Sequence, residues 1–209
     1  MSSKSIPAVW RDPMEYDMHE HGPPYLPVTE SQKYEARKFA CRQAAYYDVP
    51  AMDKYAPMTY LLAVLRAGYM VHQTAHWQTR GGHYYSDHIL FQRLYEDSQE
   101  FIDGVAERAI GLGTPAHVAL RPQIRSIQRL IEAVCSGDLA PGAEDLVQTS
   151  LKAEVLTLRV IGDAKAAIEA SGGLTEGLDD LLQGVASKHE EFVYLLKQRA
   201  GGSYAYDRR

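Results

Sequence analysis

Two histidines, His76 and His88, stand twelve positions apart on either side of a Gly81-Gly82 pair in the stretch "AHWQTRGGHYYSDHILFQ". Farther along, "FIDGVAER" sets Asp103 and Glu107 four residues apart, which places both on one face of a helix. Imidazole nitrogens and carboxylate oxygens together suit iron or another first-row transition metal better than magnesium or calcium. If residues 84–113 form one unbroken helix, His88 and Asp103 lie roughly 22 Å apart at 1.5 Å per residue. Ligand bonds are only about 2 Å long, so one chain of this pattern cannot close all four groups around one ion. An antiparallel twofold partner removes the difficulty: its Asp103 and Glu107 would lie over the first chain's histidines, and the reverse. Spacing alone leaves the plainer alternative open, an acidic pair on a solvated face and histidines that only hydrogen-bond.

The elements that must carry these residues are helical. "MTYLLAVLRAGYMVHQTAHWQ" (58–78) is a strongly apolar helix ended by "TRGG". Residues 84–113 repeat apolar side chains mainly at three- and four-residue steps, including Ile89, Leu90, Leu94, Phe101, Ile102, Val105 and Ile110, before Gly113, Thr114 and Pro115 stop the helix. A shorter helix follows at 122–137, then long ones at 143–173 and 174–200, with Gly172 and Gly173 between these two. No strand-turn-strand run, low-complexity tract or internal repeat interrupts the series. The expected fold is all-α, a four-helix bundle with a short extra helix in the crossover between the second and third long helices.

Ahead of the bundle, residues 1–28 carry Pro7, Pro13, Pro23, Pro24 and Pro27, half of the chain's ten prolines. This reads as an extended arm, and its Lys4 and Arg11 are outnumbered by Asp12, Glu15, Asp17 and Glu20. Residues 29–48 form a further helix that Thr29 can cap. The expected division is an arm and extra helix over 1–56, the bundle over 57–200 and a short tail over 201–209.

Composition narrows the function. The chain of 209 residues carries a formal charge of −5, with 45% hydrophobic and 23% charged residues, so the whole is globular and no general polyanion binder. Cys41 and Cys135 are far apart and form no CxxC motif, as expected of a reducing cytoplasm. The first residues lack the apolar core of a secretory signal, and no apolar run reaches the roughly 18 residues of a membrane span.

The stretch "HWQTRGGHYYSDHILFQRLYEDSQEFIDGVAERAIGLG" resembles the Dps family, ferritin-like miniferritins known as DNA-binding proteins from starved cells. The family pattern of HW, a basic residue and Gly, paired aromatics, a His, and D-x-x-x-E inside D-x-x-A-E-R falls here on His76-Trp77, Arg80-Gly81, Tyr84-Tyr85, His88, Asp103 and Ala106-Glu107-Arg108. The match is sharp over 76–113 and architectural over 58–198. The resemblance implies a ferritin-like bundle assembled into a hollow dodecamer of twofold dimers, with ferroxidase sites at the dimer interfaces. Each site would take His76 and His88 from one subunit and Asp103 and Glu107 from its partner. Ferrous iron would be oxidised there, preferentially by hydrogen peroxide or else by oxygen, and stored inside as ferric mineral, limiting oxidative damage. Manganese or zinc in place of iron stays open. Trp77 is either an electron donor to stray oxidant or a packing residue of the dimer contact.

Weaker signals have two readings each. His72, one turn before His76, is an accessory ligand or a buried hydrogen-bonded histidine. Gly104 either admits a partner helix or is merely tolerated. "EYDMHEHG" (15–22) is a metal catch or a polar tail. Glu176, Asp179 and Asp180 line an iron-entry pore or complement a helix dipole. The tail "RAGGSYAYDRR" sets Arg199, Arg208 and Arg209 against Asp207, with Tyr204 and Tyr206 interleaved. That supports DNA binding only weakly. The leading expectation is therefore a Dps-like ferroxidase. Its rivals are an interaction protein whose arm docks another protein, and a DNA-compacting protein. A ferritin site inside one bundle is disfavoured, since the long helices hold no Glu-x-x-His pair.

Overall fold

The structure, a computed structural model, describes residues 53–135 and 143–201. The N-terminal arm, the helix expected over 29–48, the acidic-histidine stretch 15–22 and most of the tail lie outside the described residues. The elements run α1 (Ala56–Gln78), α2 (Tyr84–Leu112), a 3-10 turn (Pro115–Val118), α3 (Leu120–Val134), α4 (Ala143–Ala170) and α5 (Glu176–Arg199). All are helical, as expected, and α3 sits in the crossover between α2 and α4.

Helix α1 is buried continuously from Ala56 to Leu65, as an apolar helix enclosed by neighbours must be. It packs against α2, α4 and α3, while α4 packs against α5. Thr79 ends α1 by donating its hydroxyl hydrogen to the carbonyl of His76 at 2.9 Å. The chain then reverses through Gly81, whose φ of 83° is open to glycine at little steric cost. After α2, Gly113 has no room for a side chain, because a Cβ there would lie 2.5 Å from Nε2 of His117. His117 shares a 2.8 Å hydrogen bond with Thr59 Oγ1 and pairs through Nε2 with Asp53 at 2.9 Å. These contacts pin the crossover to the start of α1.

Helix α4 ends as its glycines suggest. Gly173 N–H reaches Ile168 O and Gly172 N–H reaches Glu169 O, both at 2.9 Å, with Gly172 at φ 68°. Thr175 then caps α5, its hydroxyl oxygen accepting from Leu178 N–H at 3.2 Å.

Two apolar clusters fill the bundle. The larger includes Leu61, Leu65, Val71, Val105, Ile161, Leu182 and Ala186. The smaller gathers Ala75, Phe91, Leu94, Leu146, Val147, Phe192 and Leu196. Along each long helix a buried polar residue falls where one cluster gives way to the other: His72 on α1, Ser98 on α2, Ser150 and Glu154 on α4, His189 on α5. The bundle thus has a polar layer across its interior.

Candidate metal half-site on the first helical hairpin

His76 lies in the last turn of α1 and His88 near the start of α2, so the α1–α2 turn folds one ring onto the other. Their centroids are 3.7 Å apart and their planes 24° from parallel. Each ring bonds to the other residue's backbone. His76 Nδ1–H donates to His88 O at 2.8 Å, and His88 Nδ1–H donates to His76 O at 3.2 Å. A carbonyl oxygen only accepts, so both Nδ1 atoms carry a proton, and Nε2 is the nitrogen each ring has left to offer a metal. Tyr84 stacks on His88 at 5.1 Å, and Tyr95 meets His76 edge-on at 5.5 Å.

Asp103 and Glu107 sit on the outer face of α2, both exposed, while Val105 and Ala109 between and beyond them are buried. The helix is unbroken from Tyr84 to Leu112, so Asp103 is about 22 Å and Glu107 about 28 Å along it from His88. Among the described residues, no three His, Cys, Asp or Glu side chains are arranged to hold a metal ion within one chain. The structure therefore brings the two histidines together, and it leaves the two carboxylates apart from them on open surface. Around the hairpin several large apolar side chains are uncovered: Trp77 is 68% exposed and Tyr85 76%, with Met70, Tyr84 and Ile89 also exposed beside the polar Arg80, His83 and Ser86.

One buried cluster was not anticipated from sequence. Glu154 bridges two imidazoles, His72 Nε2–H donating to Oε1 and His189 Nδ1–H to Oε2, each at 2.5 Å. All three side chains are at most 3% exposed. Burial by itself would raise the Glu154 carboxyl, but the charge and hydrogen bond of His189, then those of His72, hold it at about 2. His72 is thus a buried hydrogen-bonding residue. The legible signal was positional: Glu154 and His189 interrupt stripes of core spacing, Val147–Ser150–Glu154–Ile161 and Val185–His189–Phe192–Leu196.

The remaining sequence signals also acquire partners. Gly104 faces α5 of its own chain, where a Cβ would stand 3.6 Å from Leu181 Cδ1. Asp179 pairs with Lys165 on α4 at 2.5 Å, a hydrogen bond that lowers its carboxyl, while Glu176 and Asp180 remain exposed. Arg199 belongs to the bundle: Nε donates to Asp87 Oδ1 at 2.5 Å and Nη2 to Oδ2 at 2.9 Å. Asp87 directly precedes His88 and is buried.

A bundle of long helices with a short helix in this crossover is the ferritin-like fold. Among solved structures it resembles DpsC from Streptomyces coelicolor, with a TM-score of 0.58 and 22% identity, covering 83% of this chain and 90% of that one. It is also similar to the Dps protein of Vibrio cholerae O1, described as a member of a broad superfamily of ferritin-like diiron-carboxylate proteins. There the TM-score is 0.56 and the identity 17%, over 84% and 94% of the two chains. In sequence it is 30% identical to the nutrient stress-induced DNA-binding protein of Nostoc sp. over 161 residues, covering 72% of this chain and 82% of the relative. It is 26% identical to DNA protection during starvation protein 2 of Bacillus anthracis over 122 residues, covering 58% and 79%. No family model matches. The chain belongs to the Dps family.

Proposed function

We propose that this protein is a ferroxidase that takes ferrous iron as substrate between two subunits and stores the ferric product in a closed shell. The observation that carries the reading is the reciprocal bonding of His76 and His88, which stacks the two rings 3.7 Å apart with both Nδ1 atoms committed to backbone carbonyls, leaving Nε2 of each for a metal. The partner's copies of Asp103 and Glu107 would complete the site, consistent with their exposure and with their distance from the histidines of their own chain. Neutral imidazoles hold Fe(II), and the hard carboxylates favour the Fe(III) that oxidation produces. Few protein ligands leave coordination positions for oxidant. Two ferrous ions each lose one electron, hydrogen peroxide accepts both, and its O–O bond breaks to two hydroxides. That two-electron course avoids the hydroxyl radical of a one-electron reduction. The apolar rim of Trp77, Tyr84, Tyr85 and Ile89 is the surface a second copy would bury, and twofold dimers would build the dodecamer.

Anaerobic ferrous loading followed by peroxide tests this through the ferric absorbance. Wild type should oxidise rapidly, and His76→Ala/His88→Ala should not while remaining assembled. Equal slow traces from both would sink the proposal.

The two sequence relatives, a DNA-binding protein and a DNA-protection protein by name, support a second reading, DNA binding. Because Arg199 is engaged by Asp87, the tail cations to test are Arg208 and Arg209. A salt-sensitive gel shift that survives deletion of 202–209 would remove the tail from that role.

A further inference from the structure

We propose that Arg199, the last residue of α5, is a positioning residue for the metal ligand His88, acting through Asp87. The inference rests on the reading of His76 and His88 as iron-binding.

Residues 80–86, which form the turn and the opening of α2, are all exposed. Asp87 is the first buried side chain beyond the turn, and His88 follows it directly. The apolar anchors of α2, Leu90 and Phe91, come only after it. Ahead of those anchors the buried tie to α5 is the fork of Arg199, which reaches both carboxylate oxygens of Asp87 across 112 positions of chain. A planar guanidinium bonded at two points fixes direction as well as distance. Each partner also suits its helix end, the acid in the first turn of α2 and the base in the last turn of α5.

The histidine geometry depends on where α2 begins. His88 Nδ1 spans 3.2 Å to His76 O, a longer bond than the 2.8 Å of its reciprocal partner. A small rotation of the first turn of α2 would break that longer bond, free the ring and release the tautomer that presents Nε2. The ion pair thus couples the end of the bundle's last helix to the ligand geometry at its first hairpin. Groups hydrogen-bonded directly to ligand histidines commonly change metal affinity about 10- to 100-fold, and the Asp87–Arg199 pair acts one step beyond them, through the backbone of α2.

The test uses the assembled full-length protein and Co²⁺, whose visible absorption reports histidine coordination without turnover. Arg199→Lys keeps the charge and loses the fork. It should weaken Co²⁺ binding about tenfold and alter the absorption bands. A second variant, Asp87→Leu/Arg199→Met, replaces the pair by apolar groups, which commonly restores stability. Its melting temperature should approach that of the parent while Co²⁺ binding stays weak. Parental affinity in Arg199→Lys, or affinity that returns together with stability in the double variant, would overturn the positioning role alone. A parent that binds no Co²⁺, or binds it unchanged after His76→Ala/His88→Ala, would overturn the half-site and this proposal with it.

Discussion

Nε2 of His72 lies 2.5 Å from Oε1 of Glu154, inside the bundle and between its two apolar clusters. His189 closes the other oxygen, so one carboxylate ties α1, α4 and α5 together. Hydrogen-bonded charge in this position is costly to break from one side only.

Replacing the carboxylate should therefore be severe. Glu154→Ala leaves two buried imidazoles without an acceptor and should cost about 3–5 kcal/mol of stability. Because the folded-state carboxyl sits at about 2, below its ordinary value of 4.5, its contribution is present above pH ~4.5 and fades as pH falls through ~2. Urea unfolding of wild type between pH 7 and 3 should show that decline. Glu154→Gln should flatten it, and an identical slope in the two proteins would refute the assignment.

Asp163 on α4 has the opposite sign. Burial pushes its carboxyl up to about 6 from 3.8, against the pull of Arg159. A raised folded-state value stabilises below pH ~3.8 and loses that contribution as pH rises through ~6. Asp163→Asn should accordingly raise stability at pH 8 by about 3 kcal/mol relative to wild type. The gain should vanish near pH 3.5, as read by chemical denaturation at both pH values.

Glycines within and after helices separate into two groups. Gly184 lies inside α5 with nothing within 4 Å of an added Cβ, so Gly184→Ala should stabilise by about 1 kcal/mol. Gly113→Ala should instead lower the melting temperature, since the new Cβ meets His117 Nε2 at 2.5 Å and Ala109 O at 2.9 Å. Calorimetry on the two variants checks the pair of signs.

Complementation tests whether the ferroxidase site is shared between subunits. Assemblies of His76→Ala/His88→Ala alone, or Asp103→Ala/Glu107→Ala alone, should be inactive. Random co-refolding of the two makes half the dimers mixed, each with one intact site, so about a quarter of wild-type activity should return. Mixtures as dead as their parents, with exchange verified by mass spectrometry, would place the four ligands otherwise.

The helices and their order were legible in the sequence because apolar spacing and glycine stops are local properties of the chain. Boundaries shifted by two or three residues: the crossover helix runs Leu120–Val134 where 122–137 was expected. The histidine pair was also legible, because a short turn between two long helices must bring residues on either side of it together. The same arithmetic of helical rise kept Asp103 and Glu107 away from them. No local signal joined His72 to Glu154 or Asp87 to Arg199, pairs separated by 82 and 112 residues. Those contacts depend on the relative rotation and offset of packed helices, which the whole core sets at once. By itself the sequence determined which faces are apolar and which side chains are of ligand type. Only the tertiary structure decided which polar groups meet inside, because a carboxylate within that core persists only where other helices bring it donors.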